Sequence, residues 1–322
     1  MLSDTAMERQ FGLIGYPLSH SFSEKYFSDK FEKERISDCR YTLFPLKAID
    51  GLRRLVAAQT GLSGLNVTIP HKISVIPFLD EMDAAAQQIG AVNCIALRRR
   101  GEQLWLKGYN TDAYGFSASL RPFLEGLLEG ASGKEERLSP DGANTVARGE
   151  TIGLAPEAGQ GQMVVRGEAQ EDVPGKEIGL APEEMNGLAP GKSACRALIF
   201  GDGGAAQAVK YVLREMHIPF KSVLRRPEAG ALLYEELSAD HIAGHRLLIN
   251  TTPLGMWPDV KSFPPIPYHA ITPAHLAYDL VYNPEETAFL RQARLQGART
   301  LNGLAMLHLQ AERAWEIWNT SE

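Results

Sequence analysis

Cysteine is scarce in this chain. Cys39, Cys94 and Cys195 are the only three in 322 residues, with no C-x-x-C pair and no histidine cluster beside them. That scarcity argues against a disulfide framework or a zinc centre and suits a reducing cytoplasm, so no metal is expected. Long apolar runs are also missing. No stretch approaches the roughly 20 apolar residues that span a bilayer, and the opening MLSDTAMERQ has no export-signal core. A membrane partner is not expected. Positive charge is in deficit: the formal net charge is −6, and the densest basic run, Arg98-Arg99-Arg100, reads as a solvated turn between strands. Without a basic stripe carrying interleaved aromatics, a nucleic-acid partner is not expected either.

The last absence is local. From Leu124 to Ile199 there is no Phe, Tyr or Trp, although the chain holds 26 aromatics. Residues 129–194 are rich in Gly, Pro, Glu and Ala, and IGLAPE at 152–157 returns at 178–183, with GLAP again at 187–190. The spacing is irregular, and no copy has enough apolar surface to stack as a repeat. Such a segment cannot offset its ordering entropy by burial. We read 129–194 as a low-complexity, disordered insertion; the competing reading is a partner-binding or targeting segment, or a tether.

Around this gap the chain alternates strands and helices. QFGLIGY (10–16), RYTLFPL (40–46) and GLNVTIP (64–70) read as strands, with helices from about Ser23 and over 49–60. Helical periodicity is expected across 71–90, and AVNCIALRRR with LWLKGYNTD reads as a strand pair around a turn at Gly101. After the insertion, RALIF (196–200), KSVLRR (221–226), RLLINTT (246–252) and LAYDLVY (276–282) read as buried strands with helices between them. The last 20 residues suggest an amphipathic helix with Leu304, Leu307, Ala311, Trp315 and Trp318 on its core stripe. The pattern is α/β with a largely parallel sheet, and its second half begins like a doubly wound nucleotide domain.

Gly201-Asp202-Gly203-Gly204-Ala205-Ala206 fits G-x-G-x-x-[GA] directly between a strand and a helix. The first glycine permits the tight turn, the second lets backbone approach a pyrophosphate, and the helix N-terminus presents unpaired N–H groups to it. A plain structural βα turn is the alternative. Where an NAD site has an acidic residue at the end of the second strand, this chain has Arg225-Arg226. Guanidinium groups grip a ribose 2′-phosphate that a carboxylate repels, so NADP is favoured over NAD; two solvated arginines are the other reading. Asp202 is an oddity, because a carboxylate near phosphates is unhelpful unless it points away.

Four polar clusters end apolar runs in the first half: Ser21-Phe22-Ser23, Asn66-Val67-Thr68-Ile69-Pro70-His71-Lys72, Ala91-Val92-Asn93 and Asn110-Thr111-Asp112. Each alone is an ordinary turn or cap, and Lys72 alone reads as a surface lysine. Taken in order with the glycine turn, Asn250-Thr251-Thr252-Pro253-Leu254-Gly255-Met256, Tyr278-Asp279-x-x-Tyr282 and Asn302-Gly303-Leu304-x-Met306-Leu307-x-x-Gln310, the set closely resembles the shikimate dehydrogenase family. The resemblance covers nearly all of the chain outside the insertion.

That resemblance implies an N-terminal α/β substrate domain (1–112, completed by helix 303–322), a Rossmann-type NADP domain (113–302) and a cleft between them. It implies reversible reduction of 3-dehydroshikimate to shikimate in aromatic amino acid biosynthesis, by a cytoplasmic monomer or homodimer. Ser21, Ser23, Asn66, Thr68, Asn93, Tyr282 and Gln310 would hold the substrate, and Lys72 with Asp112 would be the catalytic pair. Gly201, Asp202, Gly203, Gly204, Ala205, Arg225, Arg226, Thr251, Leu280 and Gly303 would contact NADP. The chemistry is coherent by itself: hydride transfer to a carbonyl builds negative charge on oxygen, which Lys72 can meet with charge and a proton while Asp112 orients the ammonium. Glu24, Asp202, Ala305 and the segment Leu224-Arg225-Arg226 depart from common family residues. Two other readings stand beside this one: a quinate/shikimate dehydrogenase with broader cofactor use, and a non-catalytic nucleotide-sensing module, which would be expected to have lost Lys72 or Asp112.

Overall fold

A computed structural model of the chain describes residues 8–18, 22–101, 103–129 and 195–320. Ser21 and, apart from Glu129, the expected insertion lie outside the described residues.

The first half runs β1 (Arg9–Gly15), α1 (Phe22–Lys33), β2 (Cys39–Pro45), α2 (Leu52–Ala58), β3 (Leu62–Val67), β4 (Glu81–Met82), α3 (Ala84–Ile89), β5 (Cys94–Arg100), β6 (Gln103–Tyr109) and α4 (Thr111–Glu129). Its sheet has the order β2-β1-β3-β5-β6-β4. Only β5 runs against the others, and the tight turn at Gly101, with φ +64°, reverses it into β6. Each face is covered. Phe11, Phe27, Phe31 and Tyr41 pack with Trp318 on one side, and Ile14, Leu52, Val56, Leu65 and Ile95 pack on the other.

The second half runs β7 (Ala197–Phe200), α5 (Gly204–Glu215), β8 (Phe220–Leu224), β9 (Leu232–Leu233), α6 (Ala239–Ala243), β10 (Leu247–Asn250), β11 (Leu276–Asp279), α7 (Ala288–Leu295), β12 (Arg299–Leu301) and α8 (Leu304–Asn319). All its strand pairs are parallel, in the order β12-β11-β10-β7-β8-β9. This is the doubly wound dinucleotide order, whose direction reverses between β7 and β10 and opens a crevice at their carboxyl ends. The strands read as unbroken apolar runs because both faces are buried: Ala197 and Ile199 face one cluster, Leu198 and Phe200 the other.

Two expectations are corrected. The stretch 71–90 is not one helix. It forms turns, a 3-10 turn at Ile76–Phe78, β4 and the short α3. Pro77 supplies no N–H to a helix ladder. Asp80 instead binds the edge of β6, its carboxylate accepting from the Leu106 N–H at 2.7 Å, and Asp83 caps α3 by accepting from the Ala86 N–H at 2.8 Å. In α8 the buried residues are Met306, Gln310, Ala311, Ala314, Ile317 and Trp318, while Leu304 is exposed. The helix packs against α4 as well as β3 and β5. Of the expected stripe, Ala311 and Trp318 are buried, and the rest of the buried stripe is Met306, polar Gln310, small Ala314 and Ile317.

Candidate active site

Lys72 lies just beyond β3, and its neighbours pin it. The Val92 N–H donates to the Lys72 carbonyl at 2.7 Å, and buried His71 donates from Nε2 to the Leu46 carbonyl at 2.5 Å. Asp112 is in the first turn of α4. That turn is held by Asn110, whose Oδ1 accepts from the Ala113 N–H at 3.2 Å and whose Nδ2 donates to the Ala91 carbonyl at 2.8 Å. These two anchors bring Lys72 Nζ to 2.6 Å from Asp112 Oδ2, with side-chain exposures of 18% and 8%.

A buried polar network holds the carboxylate's other oxygen. Asn93 Nδ2 donates to Asp112 Oδ1 at 2.9 Å and is also within reach of Thr111 Oγ1 (3.0 Å) and Gln310 Oε1 (3.3 Å). Thr111 closes the ring by donating from its backbone N–H to Asn93 Oδ1 at 2.6 Å. Beside it, buried Asn66 accepts from the Tyr41 hydroxyl at 2.7 Å, and Ser23 on α1 hydrogen-bonds the same tyrosine. Burial pushes the Tyr41 hydroxyl well up from its ordinary pKa, so it remains a neutral donor. Thr68 follows β3 with its methyl group facing Gly15. Half-buried Tyr282 lies with its ring 5.7 Å from Phe22, and burial raises its pKa. Of the expected substrate and catalytic residues, Lys72, Asp112, Asn93 and Gln310 thus converge directly, Asn66 adjoins them by donating from Nδ2 to the Asn93 carbonyl at 3.5 Å, and Ser23 reaches Asn66 by way of Tyr41.

The glycine turn faces this group. Gly201 has φ +107°, and a Cβ there would meet Thr251 Oγ1 at 2.8 Å, so the turn requires glycine. Thr251 is itself fastened by donating to the Phe200 carbonyl at 2.7 Å. Gly203 begins α5 without a side-chain cap, and a Cβ built on it meets nothing within 4 Å. Those features fit a dinucleotide phosphate, since the first-turn N–H groups are left to an anionic ligand. A Cβ on Gly204 would meet Lys72 Cβ at 3.0 Å, so this loop and the lysine are in contact. Gly303 packs against the Leu280 carbonyl, where a Cβ would stand 2.0 Å from the oxygen. Ala205 is in the first turn of α5, and Arg225 and Arg226 are exposed at the end of β8, the strand beside β7.

Three polar residues outside the expected set are tied into the strand ends and the glycine turn. Asp279 is fully buried at the end of β11, accepting from Asn250 Nδ2 (2.9 Å), the Val281 N–H (3.0 Å) and Thr287 Oγ1 (2.6 Å). Burial nevertheless pushes its pKa up to about 7 against these three donors. Asn250 in turn accepts from Thr252 Oγ1 at 2.6 Å, so Asp279 ties together the loops after β10 and β11. Their position at the carboxyl ends of adjacent parallel strands is the signal that could have found them. The third, Lys210, pairs with Asp202. A lone lysine in the apolar stretch AAQAVKYVL was its only sequence mark.

Comparison with known proteins identifies the family. Residues 13–95 match the family model described as the shikimate dehydrogenase substrate binding domain. A shikimate dehydrogenase (NADP(+)) from Symbiobacterium thermophilum is 35% identical, the alignment covering 96% of this chain and 88% of that protein. Among solved structures, shikimate dehydrogenase 1 from Peptoclostridium difficile has a TM-score of 0.66 at 27% identity, covering 96% of this chain and 91% of that one. The shikimate 5-dehydrogenase from Thermus thermophilus, solved in complex with NADP(H) and shikimate, has a TM-score of 0.65 at 25% identity over 97% and 93%. With the motif order, the two-sheet architecture and relatives above 30% identity along nearly the whole length, this chain belongs to the shikimate dehydrogenase family.

Proposed function

We propose that the chain is an NADP-dependent shikimate dehydrogenase, interconverting 3-dehydroshikimate and shikimate in the cytoplasm as a step of aromatic amino acid biosynthesis. The observation that carries this reading is the Lys72–Asp112 pair at 2.6 Å, with the lysine stem against Gly204 of the glycine turn. Residues 1–112 with 303–322 form the substrate side in this reading, and 113–302 form the nucleotide side.

When bound, NADPH supplies the hydride. The chain's own residues handle charge and position. The Lys72 ammonium meets the negative charge that builds on the C3 carbonyl oxygen and donates the proton that completes the hydroxyl. In the oxidative direction the neutral amine takes that proton back. Asp112 holds the nitrogen in place, and Asn93, by occupying the other carboxylate oxygen, leaves Asp112 one direction in which to act. Ser23, Asn66, Thr68, Tyr282 and Gln310 complete a lining of hydroxyl and amide groups, the chemistry a polyhydroxylated ring acid needs, and Ser21, expected to join them, lies outside the described residues. Gly201, Asp202, Gly203, Gly204, Ala205, Thr251, Leu280 and Gly303 form the backbone-rich wall for NADP, and Arg225 and Arg226 supply charge for its 2′-phosphate.

The test is a steady-state assay of the purified protein with shikimate and quinate, each against NADP+ and NAD+. Shikimate with NADP+ should give the highest kcat/KM. Oxidation of neither acid with either nucleotide defeats the proposal.

A further inference from the structure

Asp202 puts a carboxylate inside the turn that, in the function proposed above, receives the cofactor's pyrophosphate. A negative charge two residues ahead of α5 cancels the positive end of that helix, which an anionic phosphate would otherwise use. The structure shows where the charge goes. Asp202 does not cap α5, because Gly203 holds the cap position without any side-chain bond. Its Oδ1 instead accepts from Gln207 Nε2 at 3.0 Å and forms an ion pair with Lys210 Nζ. Lys210 is 8% exposed and stands between buried Val209 and Val212 on α5. A lysine so nearly buried requires a partner, and a turn carboxylate so near a phosphate site requires a counter-charge.

We infer that Lys210 is a positioning residue of the nucleotide site: by drawing the Asp202 carboxylate back along α5 and neutralising it, Lys210 lets the glycine turn accept an anionic cofactor. The inference rests on the NADP reading above and adds a residue to it. Lys210 acts through Asp202 and need not touch the nucleotide.

The pair predicts effects of opposite sign, which a merely structural ion pair does not. The measurement is NADP+ affinity by direct titration, with the melting temperature of the nucleotide-free protein as a second readout. Lys210→Met leaves an uncompensated carboxylate in the turn and should weaken NADP+ binding about tenfold or more. Asp202→Asn keeps the side chain's shape and its contact with Gln207 but leaves Lys210 unopposed. It should tighten NADP+ binding about threefold to tenfold and steepen the loss of affinity with salt. Both single variants should melt below wild type. The double variant Asp202→Asn/Lys210→Met should return to within about threefold of the wild-type affinity.

Single variants that shift affinity in the same direction, or both leave it at the wild-type value, overturn the inference. If Lys210→Met fails to fold, the sign of the Asp202→Asn effect decides alone. A wild-type protein without measurable NADP+ affinity is a different result, and it removes the cofactor assignment itself.

Discussion

The two walls that meet at Lys72 are made of different material. On the proposed substrate side the shape falls to side chains: Asn93, Thr111, Asp112 and Gln310 form a buried hydrogen-bonded ring. On the proposed nucleotide side the shape depends on side chains that are missing, at Gly201, Gly204 and Gly303. A wall of side chains is broken by deletion and a wall of glycines by addition. That difference orders what substitutions should do.

Deletion at Lys72 should have the largest effect. Lys72→Ala removes the cation and proton donor and should lower kcat by about 10²–10⁴-fold, and by leaving buried Asp112 without its ion-pair partner it should also lower the melting temperature. Asp112→Ala should lower kcat comparably, and the double variant should be little worse than either single one, since the two act as a unit. A Lys72→Ala rate equal to wild type removes the lysine from the mechanism.

Addition at Gly303 comes next. The Leu280 oxygen 2.0 Å from an added Cβ is backbone, not a flexible side chain, and Gly303 also donates its N–H to the Val281 carbonyl at 3.2 Å. Gly303→Ala must therefore push α8 away from the β11 loop and should cost about 1–3 kcal/mol of stability. Urea unfolding measures it, and an unchanged midpoint would show that the loop yields without cost.

The contrast between the walls also explains what could be seen in advance. Strands such as Ala197–Phe200 and Leu247–Asn250 were legible because burial on both faces leaves an unbroken apolar run closed by a turn. The glycine turn was legible because a missing side chain is itself a sequence signal. The convergence of Lys72 and Asp112, 40 residues apart, was not visible in spacing or periodicity, and only the ordered motif set pointed to it. The Asp202–Lys210 pair was hidden for another reason: the aspartate sits in the turn before the helix, so helical i, i+4 reasoning does not connect the two. The misplaced stripe of α8 has a similar cause, since Gln310 is buried with its hydrogen bonds to Asn93 and Thr111 rather than by hydrophobicity.

Asp279 gives a smaller effect with a definite sign. Its carboxyl, raised by burial to about 7 in the folded chain from an ordinary 3.8, holds its proton in the native state at pH values where the unfolded chain has lost it. Its contribution to stability is therefore full below about pH 4, declines as pH rises through 7, and is flat above that. Asp279→Asn keeps a neutral group of the same shape. The wild-type melting temperature should fall between pH 5 and pH 8 by a few degrees more than that of the variant. Equal slopes would assign the pH dependence elsewhere.

The smallest and most discriminating effect is expected at Gly204, where the two walls touch. This residue opens α5 with a φ that is not left-handed, so alanine meets no backbone strain there and should improve the helix by about 0.5–1 kcal/mol. The added methyl, however, would stand 3.0 Å from Lys72 Cβ and 3.3 Å from Cδ, closer than ordinary contact. The nearest atom is Lys72 Cβ, carried by a backbone that the Val92 N–H holds, so the turn and the lysine must part by a few tenths of an ångström, which leaves the fold intact but moves Nζ relative to Asp112. Gly204→Ala should therefore melt slightly higher than wild type while turning over about threefold to tenfold more slowly, because misplacement of a catalytic group is amplified in rate. Stability and activity moving in opposite directions is the signature of contact between the glycine wall and the proposed catalytic lysine. If both rise, or both fall, the approach of Gly204 to Lys72 does not govern the lysine's position.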